Sequence, residues 1–276
     1  MKHRICSVVV VFVLASVGAN AHDFWLAANP ARPAPGARVT VTANVGDHFP
    51  KGTNYPPPGA VDRWQLIGAD GEINVMREFR KEGESLATDV TLPSAGAYLG
   101  VMTIVARTID MKGPEFTDYL KEEGLDQIIA SRQASGQADK NAKERYARYA
   151  KLALRSGDGS AAHLTRAIGL KAEFVPSTDP SSVKVGETLT VQLLAEGKPV
   201  SDAAVTALSS AAGPPVKGRT DGNGRVTMTI DREGAWLIKT VHMTTSPSPD
   251  ADFESYWVTL AFHAAGSPTK SEARRN

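Results

Sequence analysis

Short apolar runs separated by glycine- and proline-rich turns constrain the fold of this 276-residue chain most strongly. The chain has 24 glycines and 17 prolines, and its apolar stretches are short. Residues 39–43 and 188–194 alternate apolar and polar side chains, as half-buried strands do. Residues 96–105 are mostly apolar, which is typical of a strand inside a sheet. We therefore predict a mainly β protein with two Ig-like β-sandwich domains.

The residues between the two sandwiches follow a helical pattern instead. Pro114 suits the first turn of a helix, and apolar side chains recur at i, i+3 and i+4 spacing on both sides of Gly124. A second helix is predicted over residues 140–156. The side chains that would share one face of this second helix are Tyr146, Tyr149, Ala150 and Ala153.

The predicted organisation has five parts. They are a cleaved signal peptide at 1–21, an N-terminal β-sandwich at 22–112, a helical insertion at 113–158, a C-terminal Ig-like sandwich at 165–264 and a disordered tail at 265–276. Within the C-terminal sandwich, the segment TDGNGR at residues 220–225 predicts a β-hairpin turn, because Gly and Asn tolerate positive φ.

The first 21 residues have the pattern of a cleaved export signal. Basic residues at 1–5 precede an apolar run at 8–17, which is shorter than the roughly 20 residues that span a bilayer. Residues 19–21, Ala-Asn-Ala, form a small-x-small cleavage site. The single cysteine, Cys6, lies in this segment, so the mature chain has no disulfide and no thiolate ligand. We predict a soluble periplasmic protein with no membrane span after cleavage.

Charge and motifs exclude several classes of function. Cleavage would remove Lys2 and Arg4 and no acidic residue, leaving 29 basic and 30 acidic residues and a formal net charge of −1. Such a balance does not favour nucleic acid or anionic lipid. The sequence contains no phosphate loop, no zinc-protease helix motif and no Gly-x-Ser-x-Gly elbow. We therefore predict that the protein is not an enzyme.

Cleavage after Ala21 would make His22 the first residue of the mature chain. Its free α-amine and its imidazole Nδ1 could then chelate one metal ion. A terminal amine titrates near ~8, so a metal can displace its proton at neutral pH. Zinc, copper and nickel favour imidazole ligands. The alternative is that His22 is only the first residue of a strand.

Two further histidines complete the predicted metal site. His242 would end a strand whose one face carries Trp236, Ile238 and Thr240, and His48 lies in the loop after residues 39–45. The candidate metal ligands are thus His22, His242 and His48. The alternatives are a polar residue at a strand end and a solvated loop histidine.

Several other side chains are candidate ligands or contact groups. Asp23 would point away from His22 and is expected to be exposed, and Met243 is either a soft ligand or part of the core. His163 is expected at the surface, and His263 at the end of the last strand, beside the strand of His242. Four tryptophans could line a sugar-binding face or, as is more usual, pack in the core: Trp25, Trp64, Trp236 and Trp257.

Several segments in a fixed order resemble a known family. They include AHDFWL at 21–26, PGARVTVTANVGDHF at 35–49, FTDYLKEEGLDQI at 116–128, ERYARYAKLAL at 144–154 and GAWLIKTVHM at 234–243. The sequence resembles the NikM-like periplasmic family, domain of unknown function 4198. The hairpin segment is also similar to carboxypeptidase-regulatory and collagen-adhesin-B sandwiches.

The family resemblance implies nickel or cobalt binding by histidines near the N-terminus and a metal-uptake system in the cell envelope as partner. The sequence thus predicts a periplasmic protein that binds nickel, cobalt or copper for uptake or buffering. Two alternatives remain open. One is a metal-free β-sandwich that binds carbohydrate or protein, and the other is a copper oxygenase built on a histidine brace.

Overall fold

The computed structural model describes residues 22–76 and 78–266, which form a mainly β fold with two helices. The predicted signal peptide and the predicted tail beyond Gly266 lie outside the described residues. The first strands are β1 (Asp23–Asn29), β2 (Arg38–Gly46), β3 (Val61–Gly68), β4 (Gly71–Asn74), β5 (Arg80–Glu82), β6 (Ser85–Thr91) and β7 (Gly96–Met111). Two helices follow, α1 (Gly113–Glu122) and α2 (Asp126–Ala134). The chain continues as β8 (Ala142–Ser156), β9 (Ala172–Pro176), β10 (Thr188–Ala195), β11 (Lys198–Pro199), β12 (Ala204–Ser209), β13 (Val216–Arg219), β14 (Arg225–Thr229), β15 (Gly234–Thr245) and β16 (Phe253–Ala264).

The described strands form three sheets. The central sheet has eight strands in the order β13-β12-β15-β16-β8-β7-β3-β4. The N-terminal sheet has the order β1-β2-β6-β5, and the C-terminal sheet has the order β11-β10-β14, with β9 on β10. All strand pairs in the central sheet are antiparallel except β16 with β8, which run parallel from Phe253↔Glu144 to Ala261↔Leu152.

The two smaller sheets cover opposite faces of the central sheet. Alternate residues of β7 show this: Leu99 and Val101 belong to the core under the C-terminal sheet, whereas Tyr98 and Met102 belong to the core under the N-terminal sheet. We call these faces of the central sheet the C face and the N face. Because successive side chains of a strand point to opposite faces, four long central strands contribute to both cores.

The helices cover the part of the N face that extends beyond the N-terminal sheet. Phe116, Tyr119 and Leu120 of α1 are buried in a separate cluster with Val241 and Trp257 of the central sheet. Pro114 lies in the first turn of α1, and Gly124 separates the helices with a φ of 66°. The first part of the predicted helical insertion is therefore confirmed. Within the described residues, neither helix is long and apolar enough to cross a membrane.

The predicted second helix over residues 140–156 is wrong, because these residues form β8. The helical segment therefore ends at Ala134 and does not extend to residue 158. The Tyr149 side chain lies on the C face and the Ala150 side chain lies on the N face. Both faces of β8 are covered, so both carry apolar side chains and no period-2 alternation is visible in the sequence. Small and aromatic residues on both faces then imitate helical spacing by chance.

The predicted hairpin at residues 220–225 is also wrong in its pairing. A tight turn is present, with Gly224 at a φ of 71° and the Asp221 carboxylate accepting hydrogen bonds from the Asn223 and Arg225 amides, both at 2.8 Å. However, β13 pairs with β12 in the central sheet, and β14 pairs with β10 in the C-terminal sheet. The turn thus carries the chain between two sheets.

Candidate functional site

The start of β1 brings His22 to an acidic side chain. β1 pairs with β2 from Asp23↔Gly46 to Asn29↔Thr40, so the residue before β1 lies beside the residues that follow β2. The His22 Nδ1 atom lies 2.5 Å from Asp47 Oδ1. The two side chains are 36% and 40% exposed, which leaves this pair open to ions in solution.

The loop after β2 folds back against β1. The backbone of His48 pairs with Lys51, and the Lys51 amide donates to the His48 carbonyl at 2.8 Å. Phe49 packs edge-on against Trp25, with ring centroids 5.6 Å apart. Gly46 permits this fold, because a Cβ there would lie 3.1 Å from the Lys51 carbonyl oxygen. The loop therefore holds Asp47 next to His22, and His48 follows as an exposed residue.

The structure does not bring His242 to His22. As predicted, Trp236 and Ile238 share one face of β15 with His242, and this is the C face. Lys239, on the opposite face of β15, reaches Asp23. The central sheet therefore lies between His242 and His22. The His242 ring instead lies 6.4 Å from that of Tyr256, and burial lowers the pKa of His242.

Among the described residues, His263 and His163 do not join His22 in a group of three metal-binding side chains. His263 lies on β16, next to the strand of His242, as predicted. However, His263 pairs with Ala235, whereas His242 pairs with Tyr256, so seven positions of about 3.3 Å each separate the two along the sheet. His163 is half-buried in a short 3-10 turn, Ala162–Thr165, and not at the surface as expected.

No group of three histidine, cysteine, aspartate or glutamate side chains that could hold a metal ion occurs among residues 22–76 and 78–266. At the start of β1 the side-chain donors are one imidazole and one carboxylate. These donor types suit first-row divalent ions such as nickel, cobalt and copper. A third donor would have to come from His48 or from the α-amine that cleavage would create.

Asp23 is buried, and the expectation that it is exposed is wrong. Its carboxylate accepts a hydrogen bond from Lys239 Nζ at 2.7 Å, and Lys239 also donates to Glu123 Oε1 at 3.1 Å. Burial raises the pKa of Asp23 and of Glu123, against the opposing effect of Lys239. Burial alone would lower the pKa of Lys239, but the two carboxylates raise it. No sequence pattern predicts this cluster, because its members are 100 and more residues apart.

A second polar cluster lies farther along the N face, under α1. The Glu144 carboxylate accepts hydrogen bonds from Ser255 Oγ and, at 3.1 Å, from the Tyr119 hydroxyl. Burial raises the pKa of Glu144. The Arg148 guanidinium lies over the rings of Tyr146 and Trp257, at 5.3 and 5.6 Å from their centroids. Glu144, Tyr119 and Ser255 are buried, so this cluster fixes α1 on the sheet.

The aromatic side chains form the core and not a binding face. Trp25, Trp64 and Trp236 are fully buried and Trp257 is 6% exposed, so the prediction of core packing is confirmed for all four. Met243 is buried against α1, which confirms the core alternative for this residue as well. An exposed tryptophan platform for a sugar is therefore absent from the described residues.

The fold and the site define a mainly β protein of several packed sheets, with a histidine–carboxylate pair at the open end of an edge strand. Residues 19–244 match the family described as Domain of unknown function (DUF4198). The match covers well over half of the chain, so the protein belongs to this family. A comparison with curated proteins finds no match.

Solved structures of intimin, tenascin and adhesin domains are distantly similar. The D0-D1 domain of intimin is 14% identical with a TM-score of 0.23, covering 88% of this chain and 98% of that one. Two fibronectin type-III domains of chicken tenascin are 10% identical with a TM-score of 0.22, covering 84% and 94%. The Escherichia coli adhesin FdeC is 17% identical with a TM-score of 0.22, covering 90% and 64%. We draw no conclusion from similarity at these TM-scores.

Proposed function

We propose that this protein binds one nickel, cobalt or copper ion at the start of its mature chain, without catalysing a reaction. The ligands would be the α-amine and Nδ1 of His22 and the carboxylate of Asp47, with His48 as a further candidate. The protein would act in the periplasm, in uptake or buffering of the metal, with a metal-uptake system of the cell envelope as its partner.

The observation that supports this proposal is the 2.5 Å separation of His22 Nδ1 and Asp47 Oδ1 at an exposed strand end. Two donors about 2 Å from one ion and at right angles to each other would lie about 3 Å apart. The pair can therefore open slightly around an ion without a change of fold. His242, on the other face of the central sheet, has no part in this proposal.

The decisive experiment compares two forms of the protein. One begins at His22, and the other carries a Gly-Ser-Gly-Ser extension that moves the α-amine away from the imidazole. An extension of one or two residues is unsuitable, because its own amine and amides could chelate with the same imidazole. Each form is titrated with Cu²⁺, Ni²⁺, Co²⁺ and Zn²⁺ in competition with a chelator of known affinity.

We expect the form that begins at His22 to bind at least one ion more than about tenfold more tightly than the extended form, since loss of one donor weakens a chelate at least this much. Asp47→Asn should weaken binding as well. His242→Ala is the matched control and should leave affinity unchanged. Equal affinities of the two forms would refute the proposal.

A metal-free interaction protein remains the alternative. Under this alternative, the affinity for a partner should be the same for the form that begins at His22, for the extended form and for Asp47→Asn. A chelator should not change that affinity. The burial of the four tryptophans weighs against a sugar ligand for this alternative.

A further inference from the structure

We propose that Lys239 is a positioning residue for the N-terminal metal site, which it serves by anchoring Asp23 and Glu123 to the central sheet. This inference rests on the proposed function. Lys239 does not contact the metal in this arrangement. It fixes the backbone at Asp23, and thereby the direction in which His22 presents its donors.

Lys239 lies where two separate elements meet above the N face. Asp23 is the first residue of β1, and Glu123 directly follows α1. Lys239 Nζ contacts both carboxylates, at 2.7 and 3.1 Å, and all three side chains are largely buried, at 7%, 6% and 18% exposed for Asp23, Glu123 and Lys239. A single ammonium group thus ties the start of β1 to the end of α1.

Ladder hydrogen bonds alone fix the start of β1 poorly. β1 is an edge strand of the N-terminal sheet, and Asp23↔Gly46 is the first pair of its ladder. Terminal residues fray unless a tertiary contact holds them. The buried Asp23 side chain supplies this contact, and strand alternation then directs the neighbouring His22 side chain the other way, to Asp47.

A fixed strand start favours metal binding because the donors need not be ordered at the moment of binding. In metal sites generally, residues that orient the ligands contribute about 10- to 100-fold to affinity. Removal of the Lys239 ammonium should therefore weaken metal binding and make the coordination geometry heterogeneous, although no ligand is lost.

The test uses the full mature chain beginning at His22, with Cu²⁺ as the probe. Lys239→Met removes the ammonium and keeps most of the stem, and Lys239→Arg keeps a cation that can reach both carboxylates. Glu123→Gln is a milder variant in case Lys239→Met does not fold. Ile238→Ala is the matched control, because it alters the neighbouring position of β15 on the C face and so destabilises the core without touching Asp23.

We expect Lys239→Met to lower Cu²⁺ affinity about tenfold and to replace one electron paramagnetic resonance spectrum by a mixture. Lys239→Arg should restore the single spectrum, Glu123→Gln should have a smaller effect in the same direction, and Ile238→Ala should lower only the melting temperature. In the metal-free protein, ¹⁵N relaxation should show increased motion of the Asp23 amide in Lys239→Met.

Two results would overturn this inference. One is an unchanged spectrum and affinity in folded Lys239→Met or, if that variant does not fold, in Glu123→Gln. The other is an Ile238→Ala spectrum that changes as much as theirs. Failure of the proposed function would be distinct, since the wild-type form would then bind no more tightly than its Gly-Ser-Gly-Ser extension.

Discussion

Two lysines with carboxylate partners lie on opposite faces of the same sheet and have different surroundings. Lys151 on the C face and its partner Glu173 are each 2% exposed, with Nζ 2.5 Å from Glu173 Oε2. Lys239 on the N face is 18% exposed and has two carboxylate partners. The first pair lies inside one core, whereas the second lies at the junction of the N-terminal sheet, α1 and the candidate site.

Both members of the C-face pair make further hydrogen bonds. Lys151 Nζ also donates to the Phe174 carbonyl at 2.9 Å. Glu173 Oε1 accepts from the amides of Ile168, Gly169 and Leu170 at 3.1, 2.9 and 3.2 Å. The pair thus organises the loop that leads into β9. The comparison teaches that equal chemistry can stabilise a core in one place and tie the start of a strand to the end of a helix in another.

The largest effect is expected from Lys151→Met. This change leaves the Glu173 carboxylate buried without its cation, which typically costs about 3–5 kcal/mol. Urea unfolding followed by tryptophan fluorescence measures the loss. The double variant Lys151→Met/Glu173→Gln should recover part of the lost free energy of unfolding. If Lys151→Met alone loses less than about 1 kcal/mol, this pair does not stabilise the C-face core as described.

Lys239→Met should destabilise the fold less, by about 1–3 kcal/mol, and in a pH-dependent way. Without Lys239, burial raises the pKa of Asp23 and Glu123 with less opposition, so the folded state binds more protons than the unfolded state above pH ~4. Stability then falls as pH rises. The difference from wild type should be larger at pH 8 than at pH 5, as measured by urea unfolding at both values. A difference that does not change with pH would contradict this.

Glu144→Gln tests whether a buried carboxylate that accepts hydrogen bonds from hydroxyl groups, with Arg148 nearby, behaves differently from the Lys239 cluster. Because burial raises the pKa of Glu144, the ionised carboxylate costs stability as pH rises above its unfolded value of 4.5. The neutral amide removes this dependence. We expect the variant to be more stable than wild type by about 1 kcal/mol at pH 8, with the gain vanishing toward pH 4. Equal pH profiles of the two proteins would argue against this cause.

His242→Ala should have the smallest effect. The ring is half-buried on the C face and has Tyr256 as its aromatic neighbour, so we expect a loss of about 1 kcal/mol or less and no change in metal affinity. Weaker metal binding by this variant would mean that a change on the C face affects the candidate site. The different surroundings of the two lysines would then not be independent of each other.

The sequence predicted some elements well for identifiable reasons. Pro114 and the spacing of Phe116, Tyr119 and Leu120 specify α1 locally, and strand alternation places Trp236, Ile238 and His242 on one face. β8 was misassigned because both of its faces are buried, so its pattern has no polar side. Strand pairing between distant residues decides on which side of the central sheet a histidine lies. A local sequence pattern cannot predict this side.

The candidate site was predictable only in part. His22 follows from the cleavage motif, and Asp47 follows from nothing but the register of β1 on β2. Asp23, Lys239 and Glu123 come from three distant elements, and sequence spacing contains no information about their convergence. The sequence thus indicates which types of side chain could bind a metal, but the partners of those side chains needed the three-dimensional structure, and β15 continues past His242 to Thr245.

The position of β16 has a consequence for how the chain acquires its structure. β16 is the last strand described, yet it lies in the middle of the central sheet, between β15 and β8. Neither core can close until residues 253–264 are available, because this strand contributes Val258 and Leu260 to one core and Ala261 to the other. A chain synthesised from its N-terminus must therefore stay incomplete until its final strand emerges, and such distant pairing makes folding slow. Premature termination before residue 253 should yield a product that is degraded and not a shortened protein.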